Sequence, residues 1–181
     1  MRPAIALTYA LSAAILAASG CASTPTLAPP EVPPELRPPA GEVPFLEAHA
    51  SGVQIYECAL KSGQASTYEW TFRAPEAALS DRSGHSLGKH YAGPTWQSDD
   101  GSSVVGEVKA RDPGPSATAI PWLLLSAKST AGAGVLSATK SIQRVQTVGG
   151  VAPSEACNAS NATQVARVPY TATYYFYRAA Q

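Results

Sequence analysis

Tyr170-Thr171-Ala172-Thr173-Tyr174-Tyr175-Phe176-Tyr177 contains only aromatic and β-branched residues apart from Ala172. Such side chains are stiff at χ1 and pack well on a pleated surface, so the run reads as a strand. A strand has period two. Tyr174 and Phe176 therefore share one face, and Tyr175 and Tyr177 share the other. One pair is expected in the core. The second is expected to cover an opposing sheet, meet a partner, or form an aromatic stripe for carbohydrate.

The same period recurs upstream. Tyr68-Glu69-Trp70-Thr71-Phe72-Arg73 alternates aromatic with polar. Val104 and Val108 fall opposite Glu107 and Lys109. Val53 and Ile55 are followed by Tyr56, Cys58 and Leu60, a strand whose phase slips at a bulge. Ile120-Pro121-Trp122-Leu123-Leu124-Leu125 is a short apolar run after Pro113 and Pro115, which predicts a strand buried on both faces. Residues 141–148 predict another, ended by Gly149-Gly150. Residues 74–80 hold no such signal, and a helical turn is expected there. Ser80-Asp81-Arg82-Ser83-Gly84 and Ser98-Asp99-Asp100-Gly101 read as hairpin tips, each closed by a glycine able to take positive φ. The fold class is all-β: an antiparallel sandwich or barrel with long loops over residues 42–181.

Composition agrees. The 181 residues include 16 Pro and 14 Gly, which disfavours a helical bundle. Thirteen basic residues balance thirteen acidic ones, so no global field draws in nucleic acid. No cofactor motif is found. Gly132-Ala133-Gly134 lacks the third glycine and the helix of a dinucleotide site.

The N-terminal residues predict location. Arg2 precedes a run of about 15 apolar or small residues, short for a membrane span but right for the core of a secretory signal over 1–20. The run ends Ala18-Ser19-Gly20-Cys21, which resembles the lipobox of bacterial lipoproteins. That resemblance implies that Cys21 becomes the lipidated first residue. The following Ala22-Ser23 favours the outer membrane, with the domain facing the periplasm. The membrane is thus a partner through acyl chains, each buried methylene contributing about 0.8 kcal/mol. Residues 21–41 form a linker with seven prolines, expected to be an extended polyproline II stalk.

In an exported chain, Cys58 and Cys157 are expected to form a disulfide. The loop of 99 residues would contribute about 4–5 kcal/mol on the chain-entropy model. Metal ligation lacks CxxC spacing or a nearby His, and no metal site is expected. His85 and His90 are five apart, which sends them to opposite strand faces, and His49 is distant. Two sequon matches, at Asn158 and Asn161, read as loop residues. Ser137-Ala138-Thr139-Lys140 spells SxxK without its companion motifs, and there is no GxSxG.

Residues 84–96 are the most unusual stretch. His85, His90, Tyr91 and Trp96 gather there beside Gly93-Pro94, a recognition corner for a small molecule or a sugar ring. The bland alternative makes Trp96 core and His90 a histidine satisfied by a carbonyl. Lys128 and Arg144 lie in apolar surroundings, paired with Glu57 or Glu107 or placed on a solvated face. The leading reading is a binding or structural module of the envelope. An envelope enzyme, hydrolytic and using the His90–Trp96 loop, is the alternative.

The ordered motifs Gly88-Lys89-His90-Tyr91-Ala92-Gly93-Pro94-Thr95-Trp96, Ile120-Pro121-Trp122-Leu123-Leu124, Ile142-Gln143-Arg144-Val145-Gln146-Thr147-Val148-Gly149-Gly150 and Val168-Pro169-Tyr170 with the residues after it are similar to the domain of unknown function 3455. That family occurs in exported bacterial and fungal proteins and is uncharacterised, so the resemblance implies export and no particular activity. Some fungal relatives carry a malate dehydrogenase label, which this sequence does not support.

Overall fold

The computed structural model describes residues 27–181. The signal 1–20, the lipidation at Cys21 and the start of the linker lie outside the described residues.

Eight strands follow one another: β1 (Glu42–Leu60), β2 (Tyr68–Ser80), β3 (Ser86–Tyr91), β4 (Thr95–Ser98), β5 (Ser103–Asp112), β6 (Trp122–Ala131), β7 (Ser141–Gly149) and β8 (Val165–Ala179). Each pairs antiparallel with the next, and β8 pairs back onto β1, so the sheet closes into an up-and-down barrel. Closure gives every strand a neighbour on each side, although β2 meets β3 only over Ala77–Ser80 and β5 meets β4 only over Ser103–Val105. Residues 74–80 are strand rather than a helical turn. Their Ala77 and Leu79 alternate inward, and their backbone is claimed by β1 along the whole stretch and by β3 over Ala77–Ser80. Local propensity yields to the ladder. The predicted phase slip in β1 is found at Ile55/Tyr56. The two predicted tips join β2 to β3 and β4 to β5, with Gly84 and Gly101 at φ 83° and 86°.

Tyr170, Ala172, Tyr174 and Phe176 point into the barrel with Trp96, Leu123, Leu125 and Ile142. Small residues on β1 and β2 (Ala48, Ala50, Ala77) make room for these rings. The outer face carries ion pairs of Glu76 with Arg167 and Glu107 with Lys109, and Glu57 pairs with Arg73 beside the open end. Among the described residues no helix is long and apolar enough to cross a membrane.

The two ends differ. Between β6 and β7, the short 3-10 turn Val135–Ala138 drops Leu136, 2% exposed, onto the core. Asp100 and Ser102 hold that turn by accepting the N–H groups of Val135 (2.7 Å) and Leu136 (3.1 Å). This end is plugged, and Ser137 of the SxxK match lies in the plug, its hydroxyl donating to the Gly134 carbonyl. At the other end the loops after β1, β3, β5 and β7 form a rim. Cys58 and Cys157 are joined there by a disulfide with Cα atoms 5.5 Å apart. Asn158 and Asn161 shape the bridged loop through a capping box.

The linker is a strap over its last ten residues, not a free stalk. Leu36 is completely buried on the outside of the barrel, and its carbonyl accepts Nε2 of Gln143 (2.7 Å). Tyr177 donates to Gln143, and Val32 packs on the cluster of Val145, Tyr175 and Tyr177. Tyr175 and Tyr177 are therefore covered by their own chain, by the strap rather than by an opposing sheet, and do not form the surface stripe that was one of the alternatives. Prolines still exclude an α-helix and a ladder here, but Pro34–Leu36 forms one 3-10 turn that presents Leu36. What the composition did not reveal is that Val32 and Leu36 anchor the segment.

Candidate functional site

The open end of the barrel holds a cavity of about 430 Å³. Its wall is built from alternate residues of several strands. Trp96 from β4 lies flat against His90 from β3, ring centroids 4.3 Å apart and planes 13° apart. Tyr174 meets both edge-on at 5.2 Å. The indole fits because residue 106 is glycine: a Cβ there would stand 2.9 Å from the Trp96 ring. Leu123 and Leu125 supply the aliphatic side, and Tyr56, Phe72 and Gln54 the β1–β2 side.

His90 is 2% exposed, and its Nδ1 lies 2.8 Å from the carbonyl of Thr95. A carbonyl only accepts, so Nδ1 carries the proton and Nε2 is an acceptor. Burial, opposed by that hydrogen bond and aided by the positive charge of Arg144, pulls the imidazole pKa down to about 3. The ring is neutral at ambient pH and is a poor base. The residues lining the cavity include no Ser, Thr, Cys, Asp, Glu or Lys. This chemistry suits recognition better than nucleophilic hydrolysis.

Arg144 enters from β7. Its Nε and Nη2 both donate to the carbonyl of Pro121, at 3.1 and 2.8 Å. Among the described residues it meets no carboxylate; Glu57 is taken by Arg73 and Glu107 by Lys109. Arg144 is thus neither paired with Glu57 or Glu107 nor on an outer solvated face but bonded to a carbonyl, while Lys128 takes the solvated alternative and is exposed. Gln54 Nε2, Trp96 Nε1 and Tyr174 Oη, all on cavity-lining residues, are buried without a hydrogen-bond partner. Such groups are few in native proteins and mark places where water or a ligand completes the bonding.

Of the residues singled out in the sequence, His90 and Trp96 come together in the cavity. Tyr91 does not: neighbours along a strand face opposite ways, and its hydroxyl donates to Gln97 on the outer surface. His85 sits in the β2–β3 turn at the plugged end, paired with Asp81 at 3.1 Å. Among the described residues no three His, Cys, Asp or Glu side chains cluster as for a metal. Gln54, Tyr56, Arg144 and Tyr174 were not singled out as cavity residues.

An eight-stranded up-and-down barrel, plugged at one end and hollow at the other, defines the class. The chain belongs to the family described as protein of unknown function DUF3455, whose profile matches residues 39–178. No curated protein and no solved structure matches it.

Proposed function

We propose that this protein is an exported, lipid-anchored module of the cell envelope that holds a small molecule in the barrel mouth. The observation that carries the reading is the hollow of about 430 Å³ kept at one end while the other is filled by Leu136. Such a volume lies within the usual range for small-ligand sites, as does the apolar lining with a few polar groups. Small barrels use their mouths in this way. Export is supported by the Cys58–Cys157 disulfide, which persists in oxidising compartments. It is further supported by the lipobox-like Ala18-Ser19-Gly20-Cys21. With the strap docked from Val32, only about ten residues separate the barrel from Cys21. The barrel would sit close to the outer membrane on its periplasmic side.

The cavity is tested with phenylnaphthylamine, a neutral apolar fluorophore. It should bind one-to-one with a blue-shifted emission, and Val108→Trp, which fills the hollow, should abolish binding. No binding to the folded wild-type barrel, or equal binding to the filled variant, overturns the reading. The anchor is tested separately by mass spectrometry of the protein from its host: Cys21 should be the acylated N-terminus.

A further inference from the structure

The strand register places Arg111, Leu123, Arg144 and Tyr174 side by side across β5, β6, β7 and β8. Leu123 and Tyr174 belong to the inner core, so this row faces inward. All four line the cavity. The two arginines are two strand spacings apart, roughly 10 Å between backbones. That is within reach of a common point for side chains of this length. Arg111 is exposed at the rim and makes neither a hydrogen bond nor an ion pair among the described residues. Arg144 is half-buried and spends two donors on one carbonyl, leaving three of a guanidinium's five N–H groups. Arg73, the third arginine of the lining, is neutralised by Glu57 at 2.9 Å. The chain as a whole has a formal net charge of zero, yet with Arg73 answered by Glu57 the lining still holds Arg111 and Arg144 and no carboxylate of its own.

We propose that the ligand is an amphipathic anion: a carboxylate or phosphate head held between Arg111 and Arg144, with an apolar body laid on the Trp96–Tyr174–Leu125 wall. This rests on the cavity being the ligand site. Fork-like guanidinium donors match planar carboxylate and phosphate oxygens. The low-dielectric wall beside them strengthens the attraction over its value in water. A neutral apolar molecule would fill the hollow but leave both charges unanswered.

Anilinonaphthalene sulfonate and phenylnaphthylamine share an aromatic body and differ in the sulfonate. The wild-type barrel should bind the anionic probe about tenfold more tightly, with an affinity that falls as salt rises. Arg111→Gln removes no contact within the protein, so its fold is kept. It and Arg144→Gln should each weaken the anionic probe several-fold and leave the neutral probe unchanged. Displacement by decanoate, decyl phosphate and decanol reads the head group. Either anion should displace the probe at lower concentration than the alcohol, and the better of the two names the source. If both probes bind equally and neither variant separates them, the cavity stands and the anion proposal falls. If neither probe binds, both fall.

Discussion

The plugged end and the open end of the barrel solve the same problem in opposite ways. At the plugged end, Leu136 fills the space, and Asp100 and Ser102 accept the N–H groups of the turn that carries it. At the open end the space is left hollow, and Gln54, Trp96 and Tyr174 keep polar atoms unanswered. A hollow forfeits the dispersion contacts that a filled core would make. The rim shows what replaces them. A disulfide ties β1 to the loop between β7 and β8, Trp70 donates to the Glu155 carbonyl (2.9 Å), and Tyr56 donates to the Gly150 carbonyl (2.7 Å). One end is held by packing and the other by bracing. Bracing at the rim maintains a shape without filling it.

Breaking the brace should have the largest effect. The double variant Cys58→Ala with Cys157→Ala should lose about 4–5 kcal/mol on the chain-entropy model, read from denaturant midpoints. Phenylnaphthylamine affinity should fall with it, because the rim loop is no longer fixed. Leu136→Ala should cost about 3 kcal/mol, within the range for truncating a buried leucine. Here affinity for the probe should be unchanged, since the mouth is untouched. If the plug variant loses the probe as fully as the brace variant, the two ends are not separate devices.

The barrel was legible where side-chain period and backbone agree. The slip at Ile55/Tyr56 shows in the sequence because the apolar phase itself shifts. The tips at Gly84 and Gly101 show because positive φ demands that residue. The site was only half legible. In Ser141-Ile142-Gln143-Arg144-Val145, the inward residues are Ile142 and Arg144, while outward Val145 and Gln143 are buried beneath the strap. A rule of apolar inward and polar outward assigns Arg144 to the wrong face. The strap escaped for a related reason. Leu36 and Gln143 meet across 107 residues, and no local pattern encodes that contact. Tyr91 was grouped with His90 by adjacency, which on a strand separates side chains rather than uniting them.

Acid should unfold the two ends in different windows, and this is the finest test of their difference. His90 has a folded pKa of about 3, mainly through burial, against an ordinary value of 6.5. Above 6.5 neither folded nor unfolded chain protonates it. Below 6.5 the unfolded chain takes up a proton that the folded chain refuses, so stability falls until about pH 3. The slope approaches about 1.4 kcal/mol per pH unit, the limit for one proton. Asp100 has a folded pKa of about 2, chiefly because the Ser102 hydroxyl and the Val135 N–H donate to it, against 3.8. Its contribution is complete above about pH 4 and is lost as pH falls towards 2. Between pH 6.5 and 4.5 the mouth should therefore dominate the loss, and the plug should matter only below 4. His90→Phe keeps a ring over Trp96 and should flatten the upper window in denaturant titrations. Asp100→Asn should lower stability at neutral pH but leave that upper slope in place. A full slope retained in His90→Phe would mean that the buried imidazole is not what makes the mouth acid-sensitive.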